Sequence, residues 1–357
     1  MPSKVYYISA GNDDTIESVS EKLASLIDAS GVLGMIGKDD FTGIKLHFGE
    51  EGNKGHIRHQ WVREAVRAVK DRTKNVFLTD ANVIYKGGLR TNSVDHLKLA
   101  DKHGYNINNV GVPVLIADGL LGKNFTEIAV SKKHFDKVKI ASDIADCDSL
   151  LALTHVTGHM LTCLGGAIKN LGMGCASRRG KYEQHCGVVP EIKPDLCIGC
   201  GQCVKYCPAS CITLEKRKVR ISEASCKGCG ECAVVCRTKA IDIKWSETLE
   251  NLQEKMVEYA HGVVKAVSGK VGYISFLINV TKDCDCLAKD EDRVIDDLGI
   301  VASTDPVSID KACVDLINQR TGKDILRRAF PGTDWMSQLR YAEESGLGSL
   351  SYTLERL

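Results

Sequence analysis

Short apolar runs alternate with amphipathic stretches over the first 160 residues of the chain. The apolar runs predict β-strands, and stretches in which apolar residues recur every three or four positions predict helices. Because strands and helices alternate, we expect a mostly parallel sheet with flanking helices. The predicted strands are KVYYIS, TGIKLHF, NVFLTD, VPVLIAD and SLLALTHV, and the predicted helices lie near 15–30, 56–72 and 93–104. EIAVSKK and KVKIASDIADC predict two further strands, or a strand and a short helix.

The same alternation resumes in the last third of the chain. A helix is predicted over 246–268, followed by buried strands at VGYISFLINV and LGIVAST, a helix over 306–321 and a last strand at SLSYTLERL. The sequence therefore predicts one α/β domain built from residues 1–188 and 246–357. Nine cysteines in two similarly spaced sets lie in residues 189–245, which predicts an inserted α+β module similar to a ferredoxin with two 4Fe-4S clusters.

The cysteine spacing is the reason for predicting clusters. C-x2-C-x2-C-x3-C-P begins at Cys197, and the cysteine spacing recurs 29 residues later. In this run three thiolates bind one cube and the fourth binds the neighbouring cube. The predicted ligand sets therefore cross over: Cys197, Cys200, Cys203 and Cys236 for one cube, and Cys226, Cys229, Cys232 and Cys207 for the other.

Zinc is the alternative metal for paired cysteines. A zinc site, however, takes four ligands in two pairs and not a triplet with a displaced fourth cysteine. Arg237 stands where the first repeat has Pro208, which removes a rigid turn and not a ligand. Cys211 matches Ala240 of the second repeat, so we expect it to pack around the clusters. The apolar surroundings of Cys147, Cys163 and Cys313 predict buried packing residues.

Composition and charge limit the function classes. The chain has 357 residues, 43% of them hydrophobic, and a formal net charge of +1, which offers no electrostatic footprint for nucleic acid. No apolar run approaches the ~18 residues of a membrane span, and the N-terminus lacks a signal-peptide pattern. We therefore expect a cytoplasmic protein without membrane or nucleic-acid partners.

Residues 191–245 are locally basic. Their lysines and arginines outnumber their acids, and four of them lie in the EKRKVR run at 215–220. The run is expected either to balance the negative clusters or to bind an acidic electron donor or acceptor protein of the ferredoxin or flavodoxin type. A solvated turn between the two repeats explains it equally well.

Polar residues follow most of the predicted strands. Because ligands bind beyond the carboxyl ends of parallel strands, we expect these residues to line one pocket. Taken singly, each also fits a helix cap or a turn. The residues are His47, Glu50, Glu51, Asp80, Asn82, Asp118, His155, His159, Lys282, Asp283, Cys284, Asp285, Cys286 and Asp305.

A glycine-rich stretch over 158–187 leads into the cysteine repeats. The amides of Gly165 and Gly166, with Lys169, predict a site for a carboxylate, a phosphate or the phosphate of a flavin or deazaflavin. His159 is predicted to deliver a proton, so His159 and Lys169 are the predicted catalytic residues. The alternative is a connector with a solvated basic end. The predicted cofactor-binding residues are Gly165, Gly166, Lys169, Asn170, His47, Asp80 and Asp118.

Cys284 and Cys286 form a C-x-C motif, which can hold one metal only with further ligands. The conceivable further ligands are Cys175, Cys186, His155 and His185. A reduced dithiol or simple pocket lining are the other interpretations.

Several motifs carry a family resemblance. KLHFGEEGN, TDANVIYKGGLRTNSVDHL, IADGLLG, GGAIKNLGMGCASRRGKYEQH and GIVASTDPVSID resemble the ferredoxin-fused members of the family of unknown function numbered 362. The resemblance spans nearly the whole chain, but the family implies no reaction. A fainter likeness joins His159, the glycine pair and Lys169 to the lactate racemases, which hold a nickel cofactor in a comparable region. It implies that His159 and Lys169 face a cofactor or substrate.

Two functions follow as hypotheses. The first is an iron–sulfur oxidoreductase that passes electrons between its clusters and a small-molecule ligand, or a flavin-like cofactor, in the strand-end pocket. The second is an electron-carrier or docking subunit of a larger redox complex without substrate chemistry. No strand-to-helix junction has the Gly-x-Gly-x-x-Gly turn of nicotinamide sites.

Overall fold

Strands and helices alternate along a computed structural model that describes residues 2–11, 13–84, 88–185, 189–207, 209–226, 230–242 and 247–357. The predicted ligand Cys229 and the considered ligand Cys186 lie outside these residues. The strands are β1 (Ser3–Ser9), β2 (Thr42–Lys45), β3 (Val76–Asp80), β4 (Val114–Ile116), β5 (Phe125–Ala129), β6 (Lys137–Ala141), β7 (Ser149–His155), β8 (Thr157–His159), β9 (Cys163–Gly165), β10 (Glu191–Ile192), β11 (Ile212–Glu215), β12 (Lys218–Ile221), β13 (Ile241–Asp242), β14 (Val271–Leu277), β15 (Gly299–Ser303) and β16 (Tyr352–Arg356). The helices are α1 (Ile16–Ser30), α2 (His59–Lys70), α3 (Ser93–Lys102), α4 (Ile107–Val110), α5 (Ser142–Ala145), α6 (Ala167–Gly172), α7 (Arg178–His185), α8 (Gln202–Lys205), α9 (Glu231–Val235), α10 (Leu249–Ala266), α11 (Pro306–Thr321), α12 (Ile325–Ala329) and α13 (Trp335–Glu344).

Eight strands form the central sheet, in the order β16-β1-β15-β14-β7-β2-β3-β4. Strands β14, β7, β2, β3 and β4 run parallel, whereas β15 is antiparallel to both of its neighbours. Every residue of β14 is buried, as expected for a strand covered on both faces. The predicted α/β class, with a mainly parallel sheet and flanking helices, is confirmed.

Helices cover both faces of this sheet. Helices α1 and α2 pack against one face over a core that includes Leu26 and Val62. On the other face, α6, α10 and α11 share a core that includes Met256 and Val314. KVKIASDIADC combines both predicted alternatives, because β6 pairs with β5 and α5 follows directly.

The cysteine-rich segment is a structural repeat. Short 3-10 helices begin at Pro194 and, 29 residues later, at Glu223. In the same register, Gly201 and Gly230 precede α8 and α9 with φ of 72° and 69°, a left-handed conformation that favours glycine. The last strand of the central sheet before this segment, β7, and the first after it, β14, are neighbours in that sheet. Among the described residues, no helix is long and apolar enough to cross a membrane.

Candidate functional site

A cavity of about 310 Å³ lies at the carboxyl ends of β2, β3 and β7. Helix α6, helix α7 and the loop after β14 complete its walls, so the site lies at the sheet edge where ligands of parallel sheets bind. Basic groups outnumber carboxylates in the lining, which makes the cavity suited to an anion. The polar lining residues are Lys45, His47, Asp80, Arg90, Thr154, His155, Thr157, His159, Thr162, Lys169, Asn170, Lys181, His185 and Asp285.

Lys45 of β2 links the end of β3 to α6 through an ion pair and a hydrogen bond. Its Nζ lies 3.0 Å from Asp80 Oδ1 and donates to Asn170 Oδ1 at 2.8 Å. The Asn170 Nδ2 donates in turn to the Leu153 carbonyl and to Thr154 Oγ1, both at 3.0 Å. Asn170, a predicted cofactor-binding residue, therefore lines the cavity but uses its polar atoms to hold α6 against the sheet.

Asp80 is the buried anion at the end of β3. Burial alone would raise the pKa of this carboxyl, but Lys45 and His96 hold it well below its ordinary value. The Arg90 Nη1 lies 3.9 Å from Asp80 Oδ2, and Arg90 Nε pairs with the buried Glu50 at 3.2 Å. The charges of Lys45 and Arg90 are thus balanced within the protein.

Lys169 is the lining lysine whose ammonium makes no described contact, whereas Lys181 donates to the carbonyls of Gly174 and Ala176. Within the described part of the chain, no acceptor or carboxylate lies within hydrogen-bonding or ion-pairing distance of its Nζ. Burial lowers the pKa of Lys169 from 10.5 to about 8, although Asp285 opposes that shift. The ammonium form consequently gains from an anion in the cavity, and the group can release a proton near neutral pH.

His47 and His159 present N–H groups to the cavity. The backbone N–H of Gly49 donates to His47 Nδ1 at 2.9 Å, and those of Leu161 and Thr162 donate to His159 Nδ1 at 3.3 and 3.2 Å. Backbone amides only donate, so each neutral ring carries its proton on Nε2. Burial holds the pKa of both rings well below the ordinary value.

The His47 Nε2 is buried and has no hydrogen-bond partner among the described residues. An unpaired buried donor is costly unless a ligand accepts from it. His47 therefore fits its predicted role as a ligand-binding residue, as a neutral donor.

His155 and Asp285 form a buried ion pair in the cavity wall. The His155 Nδ1 donates to Asp285 Oδ2 at 2.8 Å, and Nε2 donates to the carbonyls of Ile278 and Asn279. Burial alone would lower the pKa of His155, but Asp285 and the two carbonyls raise it above 6.5. The pair fixes the loop after β14, where Cys284 and Cys286 form a disulfide in the cavity wall.

A side chain of α11 lies beside the glycine pair of the predicted anion site. Asp310 of α11 accepts from the Ala167 and Ile168 amides at 2.6 and 3.0 Å. A Cβ on Gly166 would lie 2.3 Å from Asp310 Oδ1, so this glycine is needed for the close approach. Gly165 and Gly166 line the cavity, and Asp310 takes the next two amides, those of Ala167 and Ile168, and not the glycine amides of the prediction.

Other predicted strand-end residues lie outside the cavity. Asp118, a predicted cofactor-binding residue, is buried and accepts from Asn82 and from the backbone N–H of Arg178, so it holds the start of α7 in place. Burial raises the pKa of Asp118 to about 6. Glu51 pairs with Lys102 at the surface. Asp305 caps α11 at the opposite edge of the sheet, because β15 runs antiparallel.

Sequence analysis missed Lys45 and Arg90. Lys45 sits inside the otherwise apolar run TGIKLHF, and a lysine buried in a strand is rare unless it is paired. That mismatch is the signal that identifies it. Arg90 follows a glycine pair in a loop and carries no comparable signal.

Four of the predicted cluster cysteines meet in the repeat segment. Cys197, Cys200 and Cys203 of the first repeat line a small cavity together with Cys236 of the second. Elsewhere in the segment, the Sγ atoms of Cys207 and Cys211 lie 3.4 Å apart, and Cys226 interacts with Cys211. Cys211 is buried, as predicted for a packing residue.

The second repeat packs against the wall of the strand-end cavity. Helix α9 contacts α7, whose Lys181 and His185 line that cavity. Tyr182 of α7 packs with Ile84, which is a lining residue, and with Ala233 of α9. The second cysteine loop and the cavity therefore share one wall.

Comparisons with known proteins give a family but no reaction. No curated protein matches the chain. One similar solved structure is a protein from Thermotoga maritima, with 12% identity, 95% of this chain and 61% of that chain covered, and a TM-score of 0.42. Another is the lactate racemase apoprotein from Thermoanaerobacterium thermosaccharolyticum, with 11% identity, 77% and 50% covered, and a TM-score of 0.39. The chain spans less than two thirds of the length of either.

The family match covers most of the chain and agrees with the resemblance of its motifs. Residues 42–315 match the family described as "Domain of unknown function (DUF362)". The protein therefore belongs to the DUF362 family.

Proposed function

We propose that the protein is an iron–sulfur oxidoreductase that exchanges electrons with an anionic small molecule bound in the strand-end cavity. Two 4Fe-4S clusters, when bound by the cysteine repeats, supply one electron each. The observation that carries the proposal is the set of four cysteines around one small cavity. Three come from one repeat and Cys236 from the other, which is the crossover that the sequence spacing requires.

The donor set fits iron–sulfur clusters better than zinc. A zinc ribbon pairs two cysteines with two others, whereas Cys236 here joins a triplet. The second set would contain Cys226, Cys229 and Cys232 with Cys207. Cys207 and Cys226 both interact with Cys211, which supports this grouping.

The cavity residues support binding of an anion. Lys169 supplies a charge without a described partner, and the Nε2–H groups of His47 and His159 supply neutral donors. Since the pKa of Lys169 is lowered to about 8 and that of His159 lies well below 6.5, Lys169 is the better proton donor. A carrier without substrate chemistry would not need this buried constellation, so we favour the enzyme over the docking subunit.

A protein electron donor completes the proposal. The hairpin of β11 and β12 exposes four basic residues, Lys216, Arg217, Lys218 and Arg220. Such a cluster suits an acidic carrier of the ferredoxin or flavodoxin type. A flavin or deazaflavin, whose phosphate is predicted near Gly165, Gly166 and Lys169, is an alternative occupant of the same cavity.

Iron content and paramagnetic resonance of the oxygen-free protein test the clusters. We expect about eight iron atoms per chain, and about four in the Cys200→Ser variant, because one cube loses a ligand. Cys147→Ser is the control: it changes a buried cysteine outside the repeats that is not a predicted ligand, and it keeps the full iron content. Stoichiometric zinc, or an unchanged iron content in Cys200→Ser, contradicts the proposal.

A further inference from the structure

Two cysteines that the cluster sites do not use lie in the wall of the strand-end cavity. Cys284 and Cys286 are joined by a disulfide across a single residue, Asp285. Cys284 is buried and Cys286 is half-buried. Among the described residues that line the cavity, these are the only cysteines.

Stabilisation does not account for this disulfide. A disulfide stabilises a fold mainly by restricting the unfolded chain, and the effect grows with the length of the loop that it closes. The loop closed here has a sequence separation of 2. The bond therefore restricts the unfolded chain far less than a bond between distant elements does.

A metal site at the pair is the alternative, because one ring nitrogen of His159 and the two sulfurs lie within 4.8 Å of one another. The hydrogen bonds of the ring oppose it. The lone pair of His159 Nδ1 already accepts from two backbone N–H groups, and Nε2 then carries the proton. Neither nitrogen is a free ligand, whereas Nε2–H can donate to a thiolate.

The pair is held in a fixed position beside possible proton donors. Asp285 anchors the loop between the two cysteines through its ion pair with His155. Lys169 shares the cavity with the pair. A buried cation and an N–H donor both stabilise a thiolate that forms when the disulfide opens.

We propose that the Cys284–Cys286 pair is the two-electron redox group of the cavity, positioned to mediate between one-electron centres and the bound anion. The inference deepens the proposed function and rests on it for the source of electrons. Single-electron clusters do not match organic reductions, which usually need an electron pair and protons. A disulfide accepts two electrons in all, so it can collect single electrons from the clusters and pass them on as a pair.

The chemistry balances at both stages. A low-potential carrier protein gives two electrons, one at a time, through the cysteine repeats. The Cys284–Cys286 bond breaks, and two protons taken up from solvent convert the sulfurs to two thiols. The dithiol then transfers two electrons and two protons to a reducible bond of the anionic substrate, and the disulfide forms again.

An electron count tests the proposal in the complete, oxygen-free chain. Titration with sodium dithionite should consume about four electrons per wild-type chain, one for each cube and two for the cysteine pair. The Cys284→Ser/Cys286→Ser double variant should keep its iron and consume about two. Cys147→Ser is the control, because a hydroxyl can make the same hydrogen bond to the Asp143 carbonyl, and it should consume about four.

Alkylation with iodoacetamide gives a second measurement, because it detects the free thiols of the pair directly and not through the total electron count. Mass spectrometry of the peptide with both cysteines should show no adduct before reduction and two adducts afterwards. The inference is overturned if the protein holds about eight iron atoms but the disulfide does not open on reduction. It is also overturned if the double variant consumes as many electrons as the wild type. Either result leaves the proposed function intact. Absence of iron overturns the proposed function together with the electron source. A pair that is isolated as thiolates around one zinc ion overturns the inference in favour of a metal site.

Discussion

Gly230 lies directly against Tyr182: a Cβ atom on the glycine would be 2.0 Å from two carbons of the ring. This contact joins the second cysteine repeat to α7 and so to the wall of the strand-end cavity. This position needs glycine for two reasons: the ring leaves no room for a Cβ atom, and the backbone has a left-handed φ of 69°.

Replacing Gly230 by alanine should loosen the contact between the repeat and α7. The left-handed backbone costs alanine about 1–2 kcal/mol. The steric overlap with Tyr182 adds about 1–3 kcal/mol, as in other overpacked sites. Hydrogen exchange of the α7 amides and the denaturant midpoint measure the effect.

Gly201→Ala is the matched control for this prediction. Gly201 has the same backbone conformation in the first repeat, but a Cβ there would meet only Leu214 Cδ2, at 3.8 Å. We expect the backbone penalty alone and unchanged exchange in α7. Equal effects of the two substitutions would show that the contact with Tyr182 is unimportant.

Anion binding should weaken as pH rises through about 8. Burial lowers the pKa of Lys169 to about 8, and likewise that of Lys181. The protonated ammonium attracts the anion, so affinity is greatest below pH 8 and falls above it. Calorimetric titration with inorganic sulfate between pH 6.5 and 9.5 measures this, because sulfate keeps its charge over the ~3 units concerned.

Variants identify Lys169 as the source of that dependence. At neutral pH, Lys169→Ala should weaken sulfate binding about tenfold or more, the loss expected for one charge-assisted hydrogen bond. Lys169→Arg stays charged above pH 8 and should reduce the pH dependence. The exposed Lys74→Ala variant is the control and should bind like the wild type. An affinity that is flat through pH 8 contradicts the prediction.

Removing the Asp310 carboxylate should destabilise the protein. Asp310→Ala leaves the buried amides of Ala167 and Ile168 without their acceptor, at a cost of about 2–5 kcal/mol. Asp296→Ala, at an exposed surface ion pair, is the control and should cost less than about 1 kcal/mol. Chemical denaturation measures both, and equal losses would contradict the capping role.

The same carboxyl predicts the sign of a pH effect on stability. Burial raises the pKa of Asp310 from 3.8 to about 7, although the two amides oppose the shift. Between these values the folded state holds a proton that the unfolded state has released, so the free energy of unfolding falls as pH rises. Asp310→Asn removes this contribution. From pH 4 to 7 the free energy of unfolding of the wild type should therefore fall relative to that of the variant, and chemical denaturation at each pH measures the difference.

The sequence predicted the strands well because each is a short apolar run between polar ends. NVFLTD became β3, and its last residue, Asp80, lies in the cavity as expected. The direction of β15 was not predictable, since an antiparallel strand buried on both faces has the same apolar pattern as a parallel one. That is why Asp305 was grouped with the pocket although it lies at the other edge.

The candidate site was predictable in its location but not in its pairings. Local sequence shows that Gly166 permits a close approach, but not that Asp310, far along the chain, makes it. Nor does it show that Asn170 holds Lys45. Contacts between residues so distant in sequence depend on the packing of α6 and α11 on one face of the sheet.

The place of β14 between β7 and β15 also orders events during translation. The ribosome completes residues 189–242 before β14 exists, so β7 emerges with one hydrogen-bonding edge open. An open edge in an apolar strand invites pairing with other chains. Pairing with residues 271–277 closes this edge, so we expect the exposed period of β7 to end only when β14 has been synthesised.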